Sequence, residues 1–183
     1  ADVVGAPAAI TGITGLVGII RNGSSERAIG LRADMDALPM QEFNTFPHAS
    51  KHPGKMHACG HDGHTAMLLG AARLLRERRA DLPGRVILMF QPGEEGLGGA
   101  KTMIEEGLLD AAGEGGGGGA GGAGARPTGA LAIHISTRYP SGEIHLRPGP
   151  EMAATDVIRI TVRGRGGHAS APHTALDPVV VAA

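Results

Sequence analysis

The chain has no tryptophan, one tyrosine, three phenylalanines and a single cysteine among its 183 residues. With so few aromatics, any core must be assembled from Ala, Val, Leu, Ile and Met. One cysteine excludes an intrachain disulfide framework and leaves Cys59 as a buried thiol, a nucleophile or a metal ligand. Net charge is also nearly absent, with 17 Lys+Arg against 18 Asp+Glu, which argues against a nucleic-acid partner or a strongly anionic tail. No apolar run reaches the roughly 20 residues of a membrane span, and Ala1 opens neither a signal peptide nor a lipidation motif. The expectation is a soluble, cytoplasmic protein with no membrane partner.

What the chain does have is apolar content and glycine. Hydrophobic residues at 42% against 19% charged exclude a disordered chain. Glycine stands at 31, where the usual ~7% would give about 13. Nine of these lie in one thirteen-residue tract, 113–125, which contains no large side chain and reads as a flexible loop or linker.

Short apolar runs bounded by turn residues predict strands at Leu16–Arg21 and Arg27–Arg32, joined by Asn22-Gly23-Ser24-Ser25 as a hairpin. A helix is expected from a cap at Asp62 through Thr65 to about Arg78, with leucines and alanines on its buried stripe. The continuous apolar run Arg85–Phe90 predicts a strand covered on both faces. A short helix about Gly99–Glu106 follows, and beyond the glycine tract come a buried-type strand Ala130–Ile135 and alternating strands at Gly142–Arg147 and Asp156–Arg163. The fold class is α/β: a mixed, partly parallel sheet with flanking helices, plus the start of a smaller α+β lid domain. The boundary is expected near Thr155, giving an incomplete catalytic domain 1–154 and a truncated lid 155–183. Asp177-Pro178 opens an apolar helix at the very end, which suggests a chain cut off in mid-element.

Chemistry-bearing residues gather where the buried strands end. Asp34 and Asp36 follow one strand, Glu94 and Glu95 another, and His134 lies near the end of a third. In open α/β sheets the site lies beyond the carboxyl ends of the strands. The segment Met56-His57-Ala58-Cys59-Gly60-His61-Asp62-Gly63-His64 adds a thiol and three imidazoles on a loop entering a helix. Thiolate, imidazole and carboxylate meeting at one edge suit a borderline transition metal. Gly60 lets Cys59 and His61 turn toward one centre. Of the adjacent acids Glu94 and Glu95, one can hold metal while the other faces water as a general base. Asp36 reads either as a carboxylate orienting a ligating histidine or as a capped turn before Pro39. His48, His52 and His57 read as surface, and His64 and His145 stay ambiguous. His168, in a Gly-rich turn, is either a substrate contact or a plain turn residue.

Leu31-Arg32-Ala33-Asp34-Met35-Asp36-Ala37-Leu38-Pro39, Met56–His64, Gln91-Pro92-Gly93-Glu94-Glu95 and Gly166-Gly167-His168-Ala169-Ser170-Ala171-Pro172-His173 together resemble the aminoacylase-like metal-dependent amidohydrolases. The nearest branch includes hippurate hydrolases, N-acyl-amino-acid amidohydrolases and auxin-conjugate hydrolases. The resemblance implies a catalytic domain binding two divalent metal ions, manganese or zinc, with an inserted lid domain that also makes a homodimer. It carries Cys59, His61, Glu95 and His134 onto metal-ligand positions, Glu94 onto the general base, and Asp36 onto the acid that supports the site. His168 falls on a lid histidine that holds the substrate or its oxyanion. The family's N-terminal helical segment and a further metal-binding histidine after the lid have no counterpart in this chain, and the glycine tract is not a family feature.

The activity implied is hydrolysis of the amide bond of N-acyl amino acids, hippurate-like or N-acetylated, by metal-activated water with Glu94 as base. Alternatives are a deacetylase of an N-acetyl diamino acid or a small-peptide hydrolase of the same family. From other classes come a catalytically silent metal-binding or dimerisation fragment, and a hydrolase using the Cys59 thiol as nucleophile.

Overall fold

The computed structural model describes residues 6–10, 13–110, 126–152 and 158–183. The chain divides into two compact units, Ala1–Arg138 and Tyr139–Ala183. In the first, five strands form one sheet: β1 (Ala6–Ile10), β2 (Ile13–Arg21), β3 (Ala28–Asp34), β4 (Arg85–Gln91) and β5 (Ala130–Ala132), in the order β1-β2-β4-β3-β5. β2 runs antiparallel to β4, whereas β3 is parallel to both β4 and β5. The expected mixed, partly parallel sheet is therefore present.

β4 is the middle strand of this order, and every one of its residues is buried. Its side chains alternate between two layers. Val86, Leu88 and Phe90 join Ile20, Ala33 and Leu68, the last from helix α1 (His61–Glu77). Ile87 and Met89 join Val17, Ala28, Met103 and Leu108, with Met103 supplied by helix α2 (Gly99–Glu105). Each fully buried side chain of this size contributes about 1.5–3 kcal/mol, so the two clusters sandwiching β4 hold the unit together. On α1 the packed stripe is Leu68, Ala72 and Leu75, while Leu69 and Leu74 face outward. Among the described residues no helix is long and apolar enough to cross a membrane.

Several expectations are revised. β2 and β3 do run in opposite directions but are not hairpin neighbours, because β4 lies between them. Asn22 ties the connecting loop to the entry of β4, donating to the carbonyls of Ala80 and Leu82 at 3.0 Å each, and the Arg85 N–H bonds Arg27 O at 2.8 Å. β1 is a strand the loose N-terminal pattern did not announce. The cap of α1 is Gly60 rather than Asp62, which sits in the first turn without a side-chain capping bond. β5 is shorter than the apolar run Ala130–Ile135 and is exposed, since it lies at the sheet edge and pairs only with β3.

In the second unit, Gly142–Arg147 forms no strand, and neither do residues 158–163. A strand needs a ladder partner, and the single described bridge there is Arg165 with Leu176; Ile158 and Ile160 are exposed. Helix α3 (Pro178–Ala182) begins as expected, with the Asp177 carboxylate accepting the Val179 N–H at 2.9 Å. The glycine tract 113–125 and the expected boundary at Thr155 lie outside the described residues, and the division into units falls between Arg138 and Tyr139.

Candidate metal centre

Because β3, β4 and β5 are parallel and in register, with Asp34 opposite Gln91 and Arg32 opposite Ala132, their carboxyl ends finish together. The residues just beyond them, Asp36, Glu94, Glu95 and His134, thus arrive at one edge. The N-terminus of α1 returns to the same edge and brings Cys59 and His61. Gly60, with φ 98°, makes the sharp entry into α1; a side chain here would be held in the left-handed region. A second close approach fixes the Glu94–Glu95 loop: a Cβ on Gly99 would overlap the Pro92 carbonyl oxygen, and the Gly99 N–H bonds Gly93 O at 3.1 Å.

Asp36 is the hub of the carboxylate side. Its two carboxylate oxygens accept the main-chain N–H groups of Glu94 and Glu95, each at 2.9 Å. Its own carbonyl accepts the Nδ1–H of His61 at 2.9 Å. Its side chain thus holds the acidic loop, and its main chain orients the histidine. A carbonyl can only accept, so His61 carries its proton on Nδ1 and presents a lone pair at Nε2. His61 is only 1% exposed, and that Nε2 has no hydrogen-bond partner. Around it stand Asp34 Oδ2 at 3.6 Å, Glu94 Oε2 at 3.9 Å and Glu95 Oε1 at 3.9 Å. A buried lone pair facing three carboxylates, with no proton to share, is an arrangement suited to a cation.

The second side pairs Cys59 with His134. His134 donates from Nδ1 to the carbonyl of Ile135 at 2.7 Å, which leaves Nε2 as an acceptor, 3.5 Å from Cys59 Sγ and in hydrogen-bond contact with it. A thiolate about 2.3 Å and an imidazole about 2.0–2.1 Å from one tetrahedral ion would lie about 3.6 Å apart, so the spacing fits a shared metal. Burial pushes the Cys59 thiol above its ordinary value, and the charge and hydrogen bond of Glu95, then Glu94 and Asp34, push the same way. A nucleophilic cysteine needs the opposite shift. Coordination to a cation is what removes such a proton, so these surroundings suit a ligand rather than an unaided nucleophile.

Donor atoms within 4.8 Å of one another form three groups: Cys59, His61 and His134; His61, Glu94 and Glu95; and Asp34, His61 and His64. The first two contain every expected ligand, joined through His61, and the donor set fits divalent metal. The third group is different. His64 has both ring nitrogens engaged, with Asp34 Oδ1 at 2.6 Å and the Ile135 N–H at 2.9 Å, and so is not free to ligate. Burial raises the Asp34 carboxyl, but the His64 hydrogen bond and the charges of Arg32, His61 and His64 outweigh it and hold the group below its ordinary value. Neither His64 nor Asp34 had a role assigned from the sequence. The one signal was spacing, since His61 and His64 lie one helical turn apart on one face.

Among the remaining histidines, His48 stacks on Phe46 and His145 on Tyr139, both at the surface. His168 belongs to the second unit, exposed, with Nδ1 2.8 Å from Ser170 Oγ and accepting the Ser170 N–H at 3.2 Å. A cleft of about 430 Å³ on the α2 side, bordered by Met89, Met103, Leu108 and Leu131, has no Cys, His, Asp or Glu among its described lining residues.

Residues 30–183 match the model of peptidase family M20/M25/M40. The chain belongs to this family. It is similar to an IAA-amino acid hydrolase of Arabidopsis thaliana, 45% identical over 176 residues that make up 96% of this chain and 36% of that protein. It is also similar to the hippurate hydrolase of Campylobacter jejuni, 45% identical over 171 residues, 93% of this chain and 41% of that protein. Among solved structures, a dinuclear metal-binding peptidase of the M20 family from Bacillus subtilis is 49% identical, with a TM-score of 0.51 over 53% of this chain and 27% of that one. The chain thus spans about two fifths of the length of these M20 relatives, 36% and 41%.

Proposed function

We propose that this chain carries most of the metal-binding half of an amidohydrolase that cleaves the amide bond of N-acyl amino acids, hippurate-like or N-acetylated. The observation that carries this reading is the buried, unpartnered Nε2 of His61 among the Asp34, Glu94 and Glu95 carboxylates. Membership of the M20/M25/M40 family and likeness to hydrolases named for hippurate and for an amino-acid conjugate support the substrate class.

In this reading Cys59, His61, Glu95 and His134 would hold two divalent ions, manganese or zinc, with His61 giving its single Nε2 lone pair to one of them. Bound metal supplies Lewis acidity, acidifying a water and polarising the scissile carbonyl. Glu94 takes the proton from that water and passes it to the leaving amine. Its carboxylate is 41% exposed and hence open to substrate, while its main chain is anchored on Asp36. Asp36 keeps Glu94 and Glu95 adjacent but separately aimed, which lets one serve as base while the other ligates. His168 is the residue that holds the substrate or its oxyanion in this reading, and residues 155–183 begin a lid that also makes a homodimer contact, in a cytoplasmic enzyme.

The test is release of free amino acid from N-acetyl and N-benzoyl amino acids by the protein in its full coding context, loaded with manganese or zinc. Glu94→Gln is expected to lower turnover about 10²- to 10⁴-fold, the usual range for a general acid–base residue. Metal content should stay unchanged. Undiminished turnover in that variant would remove Glu94 from the role.

A further inference from the structure

His64 is nearly fully buried, and its two ring nitrogens make two directed bonds. The Ile135 N–H can only donate, so Nε2 of His64 accepts it, and the proton sits on Nδ1, where it is given to Asp34 Oδ1. Asp34 is itself fixed. Its Oδ2 meets Arg32 at 3.0 Å, Arg32 in turn donates to Gln91 Oε1 at 2.8 Å, and the Asp34 carbonyl accepts the Thr65 hydroxyl at 3.1 Å. The polar chain therefore starts on β3 and β4, crosses α1 and ends on the main chain of Ile135.

Ile135 needs such an anchor. β5 ends at Ala132, so the Ile135 N–H has no ladder acceptor, and His64 supplies one across a sequence separation of 71 residues. The same residue's carbonyl accepts the His134 Nδ1–H. One peptide segment is thus held from one side by His64 and holds the His134 ring from the other. The two rings also meet edge to face, with centroids 4.6 Å apart.

We propose that Asp34 and His64 form a positioning relay that fixes the Ile135 main chain and so aims Nε2 of His134 at the metal shared with Cys59. The inference rests on His134 being a ligand, as in the proposed function. His64 touches neither metal nor substrate and acts through Ile135. Outer partners of this kind commonly change metal affinity 10- to 100-fold.

The experiment titrates Co²⁺ alone into metal-free protein in its full coding context, following the cobalt d–d bands and the thiolate-to-cobalt absorption, and measures amide exchange at Ile135. His64→Gln keeps an acceptor where Nε2 stood; His64→Asn keeps a donor toward Asp34 but no acceptor for Ile135; His64→Leu keeps neither. Asn and Leu are expected to weaken Co²⁺ binding about 10- to 100-fold and alter the d–d bands, with Gln restoring most of the affinity. Ile135 exchange should rise about tenfold or more in Asn and Leu and stay slow in Gln, as expected when a single local bond sets the opening. Should His64→Leu fail to fold, the Asn and Gln pair carries the comparison. Equal behaviour of Asn and Gln, in either direction, overturns the relay. His134→Ala separates the two levels: a normal cobalt spectrum in that variant removes His134 from the ligand set, and the relay's function with it, whereas a changed spectrum alongside indifferent His64 variants overturns the relay alone.

Discussion

The two sides of the candidate centre are built to different standards. The carboxylate side hangs on β3 and β4, adjacent parallel strands with packed layers on both faces, and Asp36 ties three of its parts together at 2.9 Å each. On the other side Cys59 comes from the entry to α1, but His134 follows β5, a three-residue strand at the sheet edge whose residues are exposed. Donors on a central strand inherit their positions from the core. A donor past the end of an edge strand inherits little and must be held by a dedicated contact, the part that His64 plays for Ile135.

The largest effect separating the two regions should appear in stability. Ile87→Ala, at a position with no exposure in the middle of β4, is expected to cost about 2–5 kcal/mol in a denaturant titration, the usual range for a large-to-small change in a core. Next comes Asp36→Ala, which strands the Glu94 and Glu95 N–H groups. Metal affinity should fall about 10- to 100-fold while the thiolate-to-cobalt band survives at saturating Co²⁺. Loss of that band together with the affinity would mean that the two sides do not behave separately. Gly60→Ala is smaller, about 1–2 kcal/mol for a side chain forced into the left-handed region, read from the shift in thermal unfolding. Smallest is Leu131→Ala on β5: at 60% exposure it should change stability by no more than about 0.5 kcal/mol, and a cost near that of Ile87 would erase the contrast.

Sequence reading succeeded where burial or local chemistry writes a strong pattern. The unbroken run from Arg85 to Phe90 marks a strand covered on both faces, and Gly107 closes the short helix α2 as a short-range signal does, whereas the cap of α1 is Gly60, two residues before the Asp62 that the pattern favours. The convergence of Cys59, His61, Glu94, Glu95 and His134 was legible because parallel strands deliver whatever follows them to one edge. Strand neighbours were not legible: Asn22-Gly23 reads as a hairpin turn, but the crossing is decided by bonds from Asn22 to residues 58 and 60 positions away. Alternation at 158–163 has the period of a strand, yet a strand exists only with a partner. His64 was ambiguous for a related reason. Its role depends on which residue faces each ring nitrogen, and one of the two lies on a segment that no local pattern connects to α1.

The edge position of β5 also bears on the order in which the molecule is assembled. β2, β3, α1 and β4 follow one another along the chain, whereas β5 must be brought back across a long excursion, with Thr128 bonding Ala28 over a separation of 100 residues. Closing a loop of that length gives little return when the arriving strand is three residues long and buries almost nothing. Folding of this sheet should therefore finish with β5, and His134 should arrive after Cys59, His61, Glu94 and Glu95. For a chain emerging from the ribosome, the carboxylate side would be in place while His134 is still being synthesised.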